Sequence, residues 1–332
     1  MIVVALAYPF LNEPPAVERL GLVLVLSIAV VGLNLLTGYT NQISIGHSAF
    51  FGVGAYADAI LVSKANWPHV AALPVGFLLA CLAGVVCGLP ALRIRGIHLA
   101  VVTLAVATVF PAIVTRFEGL TGGSQGIVVP ALTAPSWTGL ADDQFAYLVA
   151  LAVLLISMLV LRNIVSSKGG RALVSLSDNE MASQSMGVNV AVMKVTAFGL
   201  SAGMAGVAGG LFAATHGFVS SQTSFLTLLG SIQFLTAMVV GGVASFVGPV
   251  IGTYVTQLVP DLLSQFSPGL SQVLYGVLLV LLMLIARDGL VGLAKRAFTR
   301  LKRSRGPRDA LGPSEEPAPP RAVPVSTNSS PE

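Results

Sequence analysis

The sequence predicts an all-α fold, a polytopic transmembrane helical bundle of about 8–10 spans with some short or broken helices and a disordered C-terminal tail. Three observations predict it. Mean hydropathy is +0.85 and only 10% of residues are charged, against about 25% in soluble domains. The apolar runs are continuous and about 15–20 residues long, whereas the strands of a barrel would be shorter and would alternate. The residues beyond Arg308 are rich in proline and serine, which is typical of disorder.

The apolar runs give the order of the predicted spans. They lie near residues 2–11, 20–37, 43–63, 70–90, 97–115, 145–162, 194–214, 227–242, 246–259 and 271–286. The first is short, and the eighth and ninth are interrupted by glycine and proline, so either of these two could be partly re-entrant. We therefore expect a membrane domain at 1–290, a basic segment beside the membrane at 291–308 and a disordered tail at 309–332.

Lysine and arginine positions predict the orientation, because positive residues accumulate in cytoplasmic loops. On this topology 15 of the 18 lysines and arginines lie on one side, together with the stretch 171–187 and the C-terminus. The opposite side carries mostly acids. The basic segment at 291–308 is either a plain positive-inside anchor or a site for anionic lipid headgroups. The net charge of +4 does not indicate nucleic-acid binding, because the basic residues cluster at membrane boundaries and in the tail.

The longest polar break between two spans is the stretch 171–187, RALVSLSDNEMASQSMG. Ser177 followed by Glu180 matches a capping box, so the sequence predicts a short helix with Ser177 as its N-cap. Asp178 and Glu180 then fall in the first turn, where the helix dipole favours acids. Gly187 is a natural left-handed stop.

This predicted helix needs a partner, because roughly nine residues do not form a stable helix alone. Met181 and Ala182 each have a neighbour four residues on, Ser185 and Met186, which gives a small apolar face. Polar contacts are expected from Asn179, Glu180, Ser183 and Gln184. The alternative is a solvated loop.

A second polar stretch is 38–56, GYTNQISIGHSAFFGVGAY. It places polar side chains and then glycine where a span begins, at Asn41, Gln42, Ser44, His47, Ser48 and Gly52. Two interpretations remain open: a broken helix that lines a transport cavity, or an ordinary helix start with satisfied polar groups. His47 by itself is more typical of a hydrogen-bonded core histidine than of a proton carrier. Asp58, inside the same span, is either functional or a snorkelling or subunit-interface acid.

Glycines at helical spacing predict close helix packing inside the membrane. The main ridge is Gly199, Gly203, Gly206 and Gly210, and shorter ones are Gly84 with Gly88 and Gly248 with Gly252. Glycine alone does not decide which ridge is internal and which faces another subunit. In the acidic-side loop, TGGSQGI at 121–127 predicts a tight turn, which either shapes the outer mouth or is a plain surface turn.

The sequence lacks the motifs of the common nucleotide-binding and zinc sites. The sequence has no G-x-x-x-x-G-K-[ST], no H-E-x-x-H and no paired-cysteine zinc motif, so we expect no metal and no cofactor bound by this chain. Gly46-His47-Ser48-Ala49 faintly resembles the G-x-S-G of rhomboid proteases, with His98 or His216 as a distant base. The last glycine is missing and ten spans are too many. A stand-alone secondary transporter or channel is the alternative function, and it would need intramembrane ionisable residues.

Three stretches together resemble one family, the branched-chain amino-acid ABC transporter permeases. The segment 38–56 resembles its G-x-x-G-Q-x-S-x-G-H-x-A-F-F-G-x-G-A-Y signature. GRALVSLSDNEMASQSMG is similar to its G-R-A-x-x-A-I-R-[ED]-[DN]-E-x-A-A loop, and TAMVVGGVASFVGPVIG to its glycine-rich segment. The TGGSQGI loop fits the LivM type rather than the LivH type. Departures from the pattern are Asn41 and Ala244 in place of glycine, Ser183 in place of alanine, and Leu176 with Ser177 in place of isoleucine and arginine.

The resemblance implies one permease subunit of an importer in a bacterial inner membrane. A LivH-type permease would complete the pathway, two cytoplasmic ATPase subunits would bind the ATP, and a periplasmic or extracellular binding protein would deliver the amino acid. The predicted short helix becomes the coupling helix, with Ser177, Asp178, Glu180, Met181, Ala182 and Gly187 as contacts to an ATPase. The polar residues of 41–52 become candidates for the translocation pathway.

Overall fold

The computed structural model describes residues 2–92, 96–136 and 138–266, together with 276, 277, 280, 284, 289–294 and 296. Most of the predicted span at 271–286 and of the basic segment at 291–308 lies outside the described residues, as does the whole predicted tail at 309–332. Between residues 2 and 266 the chain forms a helical bundle with one two-stranded ribbon.

The helices follow the predicted spans from 2–11 to 246–259. They are α1 (Ile2–Leu11), α2 (Pro14–Leu33), α3 (His47–Ala65), α4 (His69–Ala91), α5 (Ile97–Arg116), α6 (Glu118–Thr121), α7 (Asp142–Ser166), α8 (Lys168–Asp178), α9 (Glu180–Ser185), α10 (Val190–His216), α11 (Leu228–Gly241) and α12 (Gly248–Phe266). A π-helical turn, Asn34–Gly38, extends α2, and a 3₁₀ turn, Ser224–Leu226, precedes α11. The strands are β1 (Ile127–Val128) and β2 (Phe218–Val219).

Among the described residues, five helices are long and apolar enough to cross a membrane. They lie at Pro14–Gly38, His69–Pro90, His98–Arg116, Asp142–Ser166 and Val190–His216. Helix α11 is apolar but has only 14 residues, about 21 Å at the helical rise, so it is shorter than the hydrocarbon layer. The prediction of a polytopic helical membrane fold with some short helices is confirmed.

Helix α10 is the centre of the bundle, and its glycine ridge faces α4. A Cβ placed on Gly199 would lie 2.9 Å from Val85 Cγ2, and one on Gly203 would lie 2.6 Å from Phe77 Cε2. The ridge continues through Gly206, where a Cβ would lie 2.7 Å from Gly76 O, and Gly210, where a Cβ would lie 2.8 Å from Leu73 Cδ2. All four glycines face α4, so the ridge is internal to the chain.

Three glycines from three helices meet at the middle of this core. The Gly206 backbone is the nearest neighbour of a Cβ on Gly54 of α3, and a Cβ on Gly76 of α4 would lie 3.5 Å from Gly54 Cα. Backbones therefore touch where side chains would normally separate helices. This contact replaces the hydrophobic drive that lipid cannot supply between helices.

The other predicted ridges are also internal. Gly84 and Gly88 of α4 face Phe198 of α10, and a Cβ on Gly84 would lie 2.8 Å from Phe198 O. A Cβ on Gly252 of α12 would lie 2.8 Å from Gly241 N of α11. Each glycine pair named from the sequence thus joins helices of this chain.

The connections gather at two ends of the bundle. At the strand end, defined by β1 and β2, the ribbon is antiparallel with Ile127 opposite Val219, and Lys64 Nζ donates to Gly119 O at 2.7 Å. At the α9 end, α8 and α9 lie beside the first turns of α10. The loop 117–141 and the stretch 171–187 are therefore at opposite ends, as the predicted topology requires.

A matched pair of alanine substitutions tests the glycine contact. Gly206→Ala pushes a methyl group against α4 backbone and is expected to lower the free energy of unfolding by about 3 kcal/mol. Gly21→Ala on α2, where a Cβ meets nothing within 4 Å, is expected to raise it by about 0.5–1 kcal/mol, because glycine is unfavourable within a helix. Thermal unfolding in detergent measures both. Equal effects of the two changes would contradict the assignment of Gly206 to the core.

Candidate functional site

The stretch 171–187 forms two helices rather than one helix in a loop. Helix α8 continues to Asp178, so Ser177 lies in its last turn, where its hydroxyl donates to Val174 O at 2.7 Å. The predicted capping box at Ser177 is therefore wrong, and Asp178 ends α8 instead of beginning the short helix. The N-cap of α9 is Asn179, whose Oδ1 accepts from the N–H groups of Met181 and Ala182 at 3.0 and 3.1 Å. The prediction fails because α8 begins at Lys168 and extends to Asp178, so Ser177 lies inside this helix and does not cap the next one.

Internal contacts hold α9 against α8 and α10. The Lys194 Nζ donates to Glu180 Oε1 at 2.8 Å, and Lys194 is only 8% exposed. The buried Ser183 hydroxyl donates to the Ser175 hydroxyl of α8 at 3.1 Å. Of the four polar residues expected to reach a partner, Glu180 and Ser183 thus bind within the chain, and Asn179 caps α9.

The end of α9 confirms the predicted left-handed stop. Gly187 has φ 84°, its N–H donates to Gln184 O at 3.0 Å, and the N–H of Val188 donates to Ser183 O at 3.1 Å. These two bonds form a Schellman motif, which satisfies the last carbonyls of the helix. Glycine is required there because a Cβ disfavours this backbone conformation.

The outer face of α9 is apolar and exposed. Met181 is 74% exposed and Met186 is 83% exposed, and Ala182 between them is exposed as well. Gln184 and Ser185 complete the exposed surface. We call Met181, Ala182 and Met186 the α9 surface. A short helix that is fixed from inside and presents methionine outward has the properties of a protein docking element.

Residues 41–46 of the polar stretch 38–56 form a break between α2 and α3, and it lies within the bundle. Ile45 N–H donates to Thr103 Oγ1 at 2.9 Å, and Thr103 is six residues, about 9 Å, beyond the first residue of α5. Non-helical backbone at this depth is tolerated only when protein buries it. Ser44 and His47 are 0% exposed and Gln42 is 6% exposed, whereas Asn41 is exposed.

Some polar groups beside the break bind within the chain, whereas Gln42 Oε1, Ser44 Oγ and His47 Nδ1 are buried without a hydrogen-bond partner among the described residues. Gln42 Nε2 donates to Thr40 Oγ1 at 2.9 Å, and His47 Nε2 lies 3.0 Å from Ala29 O. His47 is thus a hydrogen-bonded core histidine, as its position suggested. At the start of α3, the Ser231 hydroxyl of α11 donates to Ser48 Oγ at 2.7 Å and accepts from Ser48 N–H at 3.0 Å.

Gly52 packs rather than lines a space. A Cβ placed there would collide with the Phe110 ring of α5. The backbone is irregular between residues 41 and 46, and the side chains of Gln42, Ser44, His47 and Ser48 face the interior of this chain. Their assignment to the translocation pathway stays a prediction.

A single asparagine joins the π-helical turn before this break to the connection between α11 and α12. Asn34 is 0% exposed and lies in the π-helical turn. Its Nδ2 donates to Ser245 O at 2.8 Å, and its Oδ1 accepts from Ala244 N–H at 2.9 Å. Asn41 and Ala244, two positions where the family pattern has glycine, have φ 53° and 55°. The backbone there is left-handed, which explains why the pattern favours glycine.

Asp58 is paired within the chain. It is 0% exposed, and its Oδ2 lies 2.9 Å from His69 Nδ1 at the start of α4. His69 Nε2 lies 2.9 Å from Pro130 O in the loop between α6 and α7. Asp58 therefore neither snorkels to water nor faces a subunit boundary.

A cleft of about 470 Å³ opens at the strand end. It is lined by residues of α2, the 131–132 loop, the start of α7 and the end of α10, among them Glu18, Arg19, Asp142, Asp143, Tyr147 and His216. None of the predicted site residues lines it. Within the described part of the chain, no group of three or more His, Cys, Asp or Glu side chains could hold a metal ion.

Comparison with known proteins defines the family. Residues 16–283 match the family described as the permease component of the branched-chain amino acid transport system. The chain is 31% identical to the LivM permease of the Escherichia coli high-affinity branched-chain amino acid transport system, over 89% of this chain and 74% of that protein. It is 24% identical to a probable LivH permease of Methanocaldococcus jannaschii, over 83% of this chain and 91% of that protein.

More distant similarity extends to another solute. An autoinducer 2 import permease, LsrC of Salmonella paratyphi B, is 27% identical over 60% of this chain and 61% of that protein. No solved structure matches the chain. The chain belongs to the branched-chain amino acid transport permeases, of LivM type, and is a membrane transport component rather than a member of an enzyme family.

Several residues of these sites were not singled out in the sequence. Asn34, Ser231 and His69 were missed, and Lys194 was used only to mark the side of the membrane. Asn34 had a usable signal, because it is a lone amide within the apolar run VVGLNLL. The others depend on contacts 11 to 183 residues away in sequence, which no local pattern reveals.

A charge exchange tests how α9 is held. Glu180→Lys places two lysines together, one of them buried, and is expected to raise amide hydrogen exchange in α9 about tenfold. Adding Lys194→Glu restores an opposite-charge pair and is expected to return the exchange close to that of the natural chain. Hydrogen-exchange mass spectrometry of the purified chain measures this. Additive losses in the double variant would show that the pair does not position α9.

A stabilising substitution tests the strained connection. Ala244→Gly keeps the N–H that binds Asn34, removes an exposed methyl group from left-handed backbone and is expected to stabilise the chain by about 1 kcal/mol. Asn41→Gly is the comparison and should change stability little, because asparagine tolerates this conformation. Thermal unfolding in detergent compares the two, and a loss of stability in Ala244→Gly would contradict the expectation.

Proposed function

We propose that this chain is one permease subunit of an ATP-binding-cassette importer for branched-chain amino acids in a bacterial inner membrane. It forms half of the translocation pathway, and a homologous LivH-type permease forms the other half. Two ATPase subunits bind ATP, one of them docks on the α9 surface of this chain, and an external binding protein delivers the amino acid. The family and the printed functions of the LivM and LivH relatives support this proposal.

The α9 surface is the observation that carries the coupling role. Its two methionines expose most of their area to solvent, although methionine is otherwise a core residue. The helix beneath them is anchored by the Glu180–Lys194 ion pair and the Ser183–Ser175 hydrogen bond. Because α9 is anchored in this way, the α9 surface can transmit a displacement: force applied to it reaches α10 through the buried Lys194.

Helix α10 connects the α9 surface to the rest of the bundle. It has 27 residues, about 40 Å, and runs from the α9 end to the strand end in contact with α2, α3 and α4. Rigid-body movement of α9 therefore moves the central helix of the subunit. Alternating access follows if closure of the ATPases draws the two coupling helices together and tilts each bundle.

Charge supports the orientation. The α9 end carries Arg162, Lys168, Arg171 and Lys194, and the strand end carries mostly acids, so the α9 end is assigned to the cytoplasm. The C-terminus, preceded by the basic segment at 291–308, is assigned to the same side. An ATPase in the cytoplasm then has access to the α9 surface. The substrate pathway is assigned to residues 41–52, the break and the first turns of α3, in which Asn41 is exposed.

The test replaces the two exposed methionines of the α9 surface and leaves the contacts that anchor α9 unchanged. Met181→Glu with Met186→Glu replaces two exposed methionines and is expected to reduce co-purification of the ATPase subunits and amino-acid uptake at least about tenfold. Met181→Leu with Met186→Leu is the matched control, because it keeps the apolar area. Membrane insertion of both variants is followed by their amounts in the membrane fraction.

Two outcomes separate this proposal from its alternative. Uptake by the purified chain without ATPase subunits would establish a stand-alone transporter and overturn the importer assignment. Undiminished ATPase binding in the glutamate variant would overturn the docking role of α9 alone. Gly187→Leu provides an independent check, since a bulky residue at φ 84° distorts the end of α9 while Met181 and Met186 remain.

A further inference from the structure

At the strand end, one loop segment lies across the end of the central helix. This segment, residues 127–134, is called the strap. Its first part pairs with β2 through Ile127 and Val128. It continues along the end of α10, where Val129 N–H donates to Gly217 O at 2.8 Å and Leu132 N–H donates to Ala214 O at 3.0 Å. The strap is thus bound to the opposite end of the same helix that holds α9.

A second set of contacts ties the strap to α3 and α4. The Pro130 carbonyl oxygen lies 2.9 Å from His69 Nε2, and His69 Nδ1 lies 2.9 Å from Asp58 Oδ2. Asp58 is 0% exposed and His69 is 9% exposed, so water does not compete for these bonds. The chain of contacts therefore runs from α3 through α4 to the strap.

The hydrogen inventory of this cluster is fixed by its partners. A carbonyl oxygen can only accept, so His69 Nε2 carries a hydrogen and donates it to Pro130 O. One further proton lies between His69 Nδ1 and Asp58 Oδ2. Either an imidazolium donates to a carboxylate, or a carboxyl group donates to a neutral ring, and both arrangements keep the strap bond. His69 is held in one orientation in each case.

The strap presents an apolar pair to the outside. Val128 and Phe218 are opposite each other in the ribbon, Val128 is 75% exposed and Phe218 is 44% exposed. The alternating residues Ile127 and Val129 are buried at 8% and 2%. The ribbon thus has one face fixed in the bundle and one face exposed.

We propose that His69, which Asp58 orients, is a positioning residue that latches the strap onto the end of α10 through Pro130 O, and that this latch transmits the docking of an external binding protein to the α9 surface. The inference rests on the proposed function, since it requires a binding protein outside and an ATPase at α9. The latch makes the strap move with α3, α4 and α10, and α10 delivers the movement to Lys194.

Two amide substitutions at one position separate the two bonds of His69. His69→Asn places an amide nitrogen near the position of Nδ1, so it keeps a partner for the buried Asp58, but it is too short to reach Pro130 O. His69→Gln reaches the position of Nε2 and keeps the strap bond. His98→Asn is the matched control, because His98 is an exposed histidine in the first turn of α5, outside the strap.

The experiment uses the full complex in nanodiscs and measures ATPase activity with and without the amino-acid-loaded binding protein. His69→Asn is expected to lower the stimulation by the binding protein about fivefold and to leave basal ATPase activity within about twofold. His69→Gln and His98→Asn are expected to retain the stimulation. Hydrogen exchange at the amides of Val129 and Leu132 is expected to rise about fivefold in His69→Asn only.

The outcomes that overturn the inference are distinct from failure of the proposed function. Normal stimulation of His69→Asn, or loss of its basal activity together with the stimulation, overturns the latch, because the latter marks general destabilisation. Equal loss in His69→Gln overturns the role of the Pro130 bond. A natural complex that shows no stimulation at all refutes the proposed function, and the role of the latch falls with it.

Discussion

The close approach of α10 to α3 and α4 is the contact on which the rest of this structure depends. Gly54, Gly76 and Gly206 allow three backbones to touch at one level. Lipid offers no hydrophobic gain when helices associate, so the attraction is van der Waals contact, and it requires surfaces without intervening side chains. The packed core makes α10 a rigid element that reaches both ends of the bundle, the α9 end and the strand end.

Both ends of α10 then carry a small polar device. At one end Lys194 holds Glu180 and with it the α9 surface. At the other end the carbonyls of Ala214 and Gly217 hold the strap, which His69 fixes from α4. Each device uses a few hydrogen bonds, of which those made by Lys194 and His69 are largely shielded from water, so its geometry is fixed by partners rather than by solvent. A movement of one end is therefore not absorbed locally.

Irregular backbone lies beside the same core. Asn34 joins the π-helical turn that precedes the break at 41–46 to the connection at 242–247. The break and the connection each contain a non-glycine residue in left-handed conformation, Asn41 and Ala244. Strain of this kind persists only where the surroundings determine the backbone.

The sequence by itself determined the class of fold, the helix positions, the glycine ridge of α10 and the family, because hydropathy, spacing and motif order are local properties. It also placed the left-handed stop at Gly187, since φ above zero favours glycine. It misplaced the start of α9, because Ser177 and Asn179 are both acceptable caps and the length of α8 decided between them. Only the tertiary structure decided that the glycine ridge faces α4 and that Asp58 pairs with His69. It also decided that Asn34 joins the π-helical turn to the connection between α11 and α12. Those choices depend on which helices lie side by side, and that arrangement comes from the packing of the whole bundle.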